Sequence, residues 1–256
     1  MVPVIIINLE RDAARRDALT ARLDALNVPY RIHKALAGKD LSADELARYS
    51  PRRELKFARA LMPNEVATGL SHANAVREGL SLGTEFFCVL EDDVIPAPRF
   101  AECLDEAVLK ALPPFEALRL FAHFDRWDKP SKTVASLAGS AVVRMLRPGW
   151  GCAGQIYTRS GGEKLVAALR TITAPIDFAV YHDCHAMGLK VLETRPPLIT
   201  HAPVQSSVGE RDSIPEDPVS RPVRNFRRLQ RKIRAAESFL RAWGWREFVS
   251  FFPTWR

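Results

Sequence analysis

No stretch of this 256-residue chain approaches the roughly 20 consecutive apolar residues that a helix needs to cross a bilayer. Cysteine is equally scarce. The four present (Cys88, Cys103, Cys152, Cys184) show no CxxC spacing and no disulfide-scaffold density, which excludes a stapled secreted domain and a structural zinc site. A reducing compartment is expected, and with it a location in the cytoplasm. The opening residues 2–9 form a short apolar run that ends at Glu10-Arg11-Asp12, without a basic leader or a small-residue cleavage site. They read as a β-strand rather than a signal peptide. Internal repeats are missing as well, which argues against a solenoid or propeller.

What is present is ordinary globular material: 47% hydrophobic and 26% charged residues, enough for one sizeable core. The net charge of +7 is unevenly spread. Residues 221–256 hold ten Arg/Lys against two Glu, whereas the first 220 residues hold 27 basic and 28 acidic side chains. A body with no basic excess is not built to grip nucleic acid, and no nucleic-acid partner is expected. The sequence divides into a body over residues 1–205, a linker or mobile loop at 206–222, and a basic amphipathic helical tail at 223–256. In that tail Phe226, Leu229, Ile233, Ala236, Leu240 and Trp243 recur every three or four positions among arginines, and aromatics follow to Trp255. Such a segment suits an anionic membrane surface, which would make the protein peripheral on the inner membrane. Packing on its own domain is the competing reading.

Within the body, strand and helix signals alternate, which predicts an α/β fold with a mainly parallel sheet flanked by helices. Residues 4–8 and 86–90 are apolar, strand-like runs, and Leu118 to Phe121 and Val191-Leu192 add shorter ones. Leu19, Leu23 and Leu26 fall at helical spacing. Asn64 is placed to cap a helix carrying Val66, Leu70 and Ala73, and Ser160 to Glu163 reads as a capping box. Residues 123–149 look irregular.

The strand at 86–90 ends in Glu91-Asp92-Asp93. Ligands of open α/β sheets bind beyond the carboxyl ends of the strands, so these acids stand at the expected place. Clustered carboxylates repel unless a cation or ligand compensates. Hard oxygen donors suit Mg²⁺ or Mn²⁺, which commonly take one or two carboxylates plus phosphate oxygens. A solvated acidic turn is the alternative for the triplet taken alone.

Six blocks in order resemble glycosyltransferase family 25, the lipooligosaccharide-biosynthesis group that includes β-1,4-galactosyltransferases. They are Ile5-Ile6-Ile7-Asn8-Leu9-Glu10-Arg11 with Arg15-Arg16; residues 64–72, ending Gly69-Leu70-Ser71-His72; Val89-Leu90-Glu91-Asp92-Asp93-Val94; Tyr157-Thr158-Arg159-Ser160 with Gly162-Glu163-Lys164-Leu165; Pro175-Ile176-Asp177; and Pro197-Leu198-Ile199. Asn64 and Ala67 replace family glycines, and His201 stands where glutamine is usual. The resemblance implies a GT-A-like nucleotide-sugar-binding fold. It further implies transfer of a hexose, galactose by preference, from a UDP-sugar to a lipooligosaccharide or other glycan acceptor, by metal-dependent inversion. It assigns the Mn²⁺ or Mg²⁺ ion to Asp93 and Glu91, and donor contacts to Asn8, Leu9, Arg11, Arg16, Ser71, His72 and Asp92. His201, a departure from the family pattern, joins the ion's candidate ligands because it follows the last strand and so falls near the carboxyl edge. The general base falls to Asp177, with Asp183 in reserve. His182 and His185, at i, i+3 without a third ligand, are not taken as a metal site. Two other functions remain open: a metal-dependent phosphoesterase, and a non-enzymatic anionic-surface binder run by the tail.

Overall fold

In the computed structural model the described residues are 1–51, 61–121, 131–146, 151–182, 188–203, 233, 236–237 and 239–251. The N-terminal half runs β1 (Val4–Asn8), α1 (Ala13–Ala25), β2 (Tyr30–Lys34), α2 (Ala43–Tyr49), α3 (Pro63–Ser81), β3 (Phe86–Glu91), β4 (Val94–Pro96) and α4 (Glu106–Lys110). There follow β5 (Ala117–Arg119), β6 (Ser131–Leu137), β7 (Ser140–Met145), β8 (Gly154–Thr158), α5 (Arg159–Ala168), β9 (Val191–Arg195), β10 (Ile199–His201) and α6 (Trp245–Val249).

Eight strands form one sheet in the order β2-β1-β3-β8-β5-β9-β7-β6, and β10 pairs with β4 beside it. The expected mainly parallel sheet is corrected here to a mixed one. β2-β1-β3 and β5-β9 are parallel, but the other four pairings are antiparallel. Two insertions cause this. β8 runs back between β3 and β5, and β6-β7 is a hairpin within residues that looked irregular. The hairpin turns at Ala138 and Gly139, both with positive φ (48° and 81°), the conformation that matches strand twist in a tight turn. β6 itself, Ser-Lys-Thr-Val-Ala-Ser-Leu, is too polar to announce a strand.

The apolar runs split by the two-residue period of a strand. Val4, Ile6, Cys88 and Leu90 meet Leu19 and Leu23 of α1 on one face. Ile5, Ile7, Phe87 and Val89 meet α3 (Val66, Leu70, Ala73, Val76) and α5 (Leu165) on the other. Helix α3 lies so close to the sheet that a Cβ on Gly79 would come 2.3 Å from the Phe87 ring. The helix starts also shift from their expected positions. Pro63 opens α3, and Glu65 Oε2 accepts from Met62 N at 2.8 Å, while Asn64 Oδ1 accepts from Gly38 N at 3.1 Å. Thr158, not Ser160, caps α5, its Oγ1 accepting from Gly161 N at 3.1 Å. Cys88, Cys103 and Cys152 are buried.

The linker expected at 206–222 lies outside the described residues, as does much of the tail. The described end of the chain packs on the body. Phe239 is fully buried, and its ring meets Phe248 and Phe251 at 6.1 and 5.3 Å. The Arg144 guanidinium of β7 lies 4.0 Å from the centre of the Trp243 ring and pairs with Glu247. No helix among the described residues is long and apolar enough to cross a membrane.

Candidate functional site

β1 and β3 are parallel neighbours with Ile7 opposite Glu91, so Asn8 and the acidic triplet emerge together at the carboxyl edge. Buried Asn8 donates from Nδ2 to Asp92 Oδ2 at 2.6 Å and to Asp12 O at 3.2 Å. Its carbonyl accepts from Ala35 N at 2.9 Å, tying the chain beyond β2 to the same edge. Arg15 Nη1 stands 3.7 Å from the other oxygen of Asp92. Burial pushes the Asp92 carboxyl up to about 6, reinforced by the charge of Asp93 and opposed by the Asn8 hydrogen bond and by Arg15.

The other two acids are held by histidines. Glu91 Oε1 accepts from His72 Nε2 at 3.0 Å, with the His72 ring buried on α3. Asp93 is fixed through its backbone, the carbonyl accepting from Ala202 N at 2.7 Å. Its Oδ1 lies 3.3 Å from His201 Nδ1, and the carboxylate beside it raises the His201 imidazole above its ordinary value. The β4-β10 ladder sets His201 opposite Val94, and its ring packs edge-on to Phe121 at 4.4 Å. Each acid therefore points along a direction set by a different element.

Two clefts open here. One of about 120 Å³ is bounded by Leu9, Arg15, Ser71, His72 and the three acids. The other, about 370 Å³, is bounded by Leu9, Glu10, Arg11, Lys34, Lys39 and Asp40, with Lys34 paired to Glu10 at 2.6 Å, and Leu9 and Ala35 are walls of both. The pair forms a trough along the carboxyl edges of β1 and β2, of mixed charge at one end and holding the three acids at the other.

Of the residues singled out from sequence, Asn8, Leu9, Ser71, His72, Glu91, Asp92 and Asp93 gather at this edge, with His201 against Asp93 and Arg11 on the second cleft. Ser71 has its hydroxyl engaged twice, donating to Ala67 O at 2.8 Å and accepting from Leu36 N at 2.9 Å, so it shapes the wall. Arg16 lies apart, turned outward to Asp17 at 2.8 Å. Asp177 is half-buried, accepts from Phe178 N at 3.0 Å, and lines neither cleft. Asp183 lies outside the described residues. Lys34 and Lys39 are the additions, and of the arginine pair it is Arg15, not the preferred Arg16, that lines the smaller cleft. For Arg15 the signal was available: buried Leu19 and Leu23 follow it at i+4 and i+8, which puts Arg15 on the inner face of α1.

Among the described residues no three or more His, Cys, Asp or Glu converge as a ready-made metal cage. The local donors nevertheless suit a hard divalent cation completed by phosphate. Asp93 Oδ1 is buried and has His201 Nδ1 at 3.3 Å but no aligned hydrogen bond, so a cation beside it would add to what the histidine supplies.

A mixed α/β sheet that carries a trough at its carboxyl edge defines an α/β protein of the ligand-binding kind. The family glycosyltransferase family 25 (LPS biosynthesis protein) matches over residues 1–180, and the chain belongs to that family. It is thus a glycosyltransferase of lipopolysaccharide biosynthesis, working with a nucleotide-sugar donor and a glycan acceptor. Five of the six resembling blocks fall inside the match; Pro197-Leu198-Ile199 lies beyond it. Membership sets aside the phosphoesterase and the non-enzymatic binder as the main function. No curated protein matches the chain significantly.

Proposed function

We propose that the enzyme transfers a hexose, galactose before glucose, from a UDP-sugar to a lipooligosaccharide or related glycan acceptor, inverting the anomeric centre, on a GT-A-like arrangement of the trough. The observation that carries this reading is the meeting of Arg15, Asn8 and three differently oriented acids at the edge of β1 and β3. The nucleoside fits the larger cleft beyond Leu9, and Arg15 offers its guanidinium to the diphosphate. Asp93 would hold Mn²⁺ or Mg²⁺ with Glu91 and His201, and such an ion supplies neutralisation of charge on the departing diphosphate. His72 keeps Glu91 aimed, and Asn8 keeps Asp92 facing the donor. The acceptor hydroxyl gives its proton to Asp177, or to Asp183 in its place.

One series of measurements tests this reading. A panel of nucleotide sugars with Mn²⁺ is scanned for thermal stabilisation, since a ligand of the folded state alone raises the melting temperature. UDP-galactose should give the largest rise. Turnover with the selected donor should then fall about a hundredfold or more in Asp177→Asn, with donor stabilisation retained. A larger rise with a non-uridine sugar would overturn the donor assignment. Wild-type turnover in Asp177→Asn would move the base to Asp183.

A further inference from the structure

The end of the chain has an inner and an outer face, and only the inner one is used by the body. Inward, Phe239 is fully buried and Trp243 lies over Arg144. Outward, Trp245 is 66% exposed and Val249 44% exposed, one turn apart on α6. The Trp245 ring stacks on Phe248 at 5.9 Å, and Phe248 in turn meets Phe239. The exposed indole is therefore braced by the core. Exposed Arg241 and Arg246 flank it, within a stretch that carries ten basic residues and two Glu.

We propose that this face is a docking surface for an anionic phospholipid bilayer. Indole, with an apolar body and a polar edge, is suited to the depth of lipid headgroups, and arginines beside it meet lipid phosphates. A second copy of the chain would bring the exposed Arg241 and Arg246 of each toward the other, which charge repulsion opposes. A polynucleotide would satisfy the arginines but leave Val249 uncovered. The surface is a rigid platform rather than a trailing tail, because Trp243 and Glu247 fix it to Arg144 of β7 and Phe239 buries its ring among Trp243, Phe248 and Phe251. It is also separate from the trough. Arg144 sits on β7, four strand spacings from β3, or about 20 Å across the sheet. The proposal stands independently of donor identity and base assignment.

The test is flotation of the full chain with vesicles of phosphatidylglycerol and phosphatidylethanolamine, against vesicles of phosphatidylcholine. The chain should float with the anionic vesicles alone, and less as salt rises. Joint Trp245→Ser and Val249→Ser substitution should cut partitioning by about tenfold or more. Arg241→Gln and Arg246→Gln should each cut it about fivefold at low salt. Melting temperature and hydrolysis of soluble donor should stay unchanged in all of them. Equal flotation with both vesicle types would overturn the proposal, as would undiminished flotation of the double variant. A dimer in sedimentation equilibrium that the same double substitution dissociates would assign the face to a second copy instead.

Discussion

Asn8, at the end of β1, does not depend on solvent or substrate for its orientation. Its amide holds Asp92, and its carbonyl holds the chain after β2. That leaves Arg15 as the side chain with reach into the smaller cleft and a charge suited to phosphate. Arg15→Ala should weaken UDP binding by about 1.5–3 kcal/mol, roughly ten- to a hundredfold, by titration calorimetry. Arg16→Ala, which removes only an exposed pair with Asp17, should change it by no more than about 0.5 kcal/mol. Equal losses in the two variants would mean that the inward-facing position of Arg15 has no bearing on the donor. The sequence contained both arginines at the right place in the chain; choosing between them needed the helix phase, which buried Leu19 and Leu23 set.

At the scale of elements, the strands on the buried parallel side were legible because their residues are apolar on both faces, as in β1 and in β3 up to Leu90. The β6-β7 hairpin was not, because its outer strand is polar and Ala138-Gly139 lacks the Asn-Gly or Asp-Gly signature of a tight turn. The antiparallel course of β8 is a tertiary fact that local periodicity cannot carry. The end of the chain was half legible. Its apolar spacing was plain, but periodicity cannot tell a face that meets lipid from one that meets the chain's own sheet, and Trp243, over Arg144 of β7, does the latter. Phe239→Ala should lower stability by about 3–5 kcal/mol in denaturant unfolding, as for other buried aromatics. A loss under about 1 kcal/mol would mean that the segment is only loosely attached. Removal of the whole tail would expose this core contact, so point substitutions on the outer face separate membrane docking from folding more cleanly.

For the molecule as a whole, family membership makes the chain a glycosyltransferase, and the acids at the carboxyl edge of β1 and β3 carry the proposal for where its donor binds. The triplet's place after a buried strand could be read directly. Its internal division could not, since Glu91 turns to His72 on α3, Asp92 to Asn8 and Arg15, and Asp93 to His201 from more than a hundred residues away. The most direct measurement is thermal unfolding of wild type and Asp93→Ala with UDP, each with and without Mn²⁺. The wild type should show a UDP-dependent rise that grows when Mn²⁺ is added, and a hundredfold excess of ligand over its dissociation constant adds about 2.7 kcal/mol. Asp93→Ala should lose the Mn²⁺-dependent part of that rise. An undiminished Mn²⁺-dependent rise in Asp93→Ala would contradict the account.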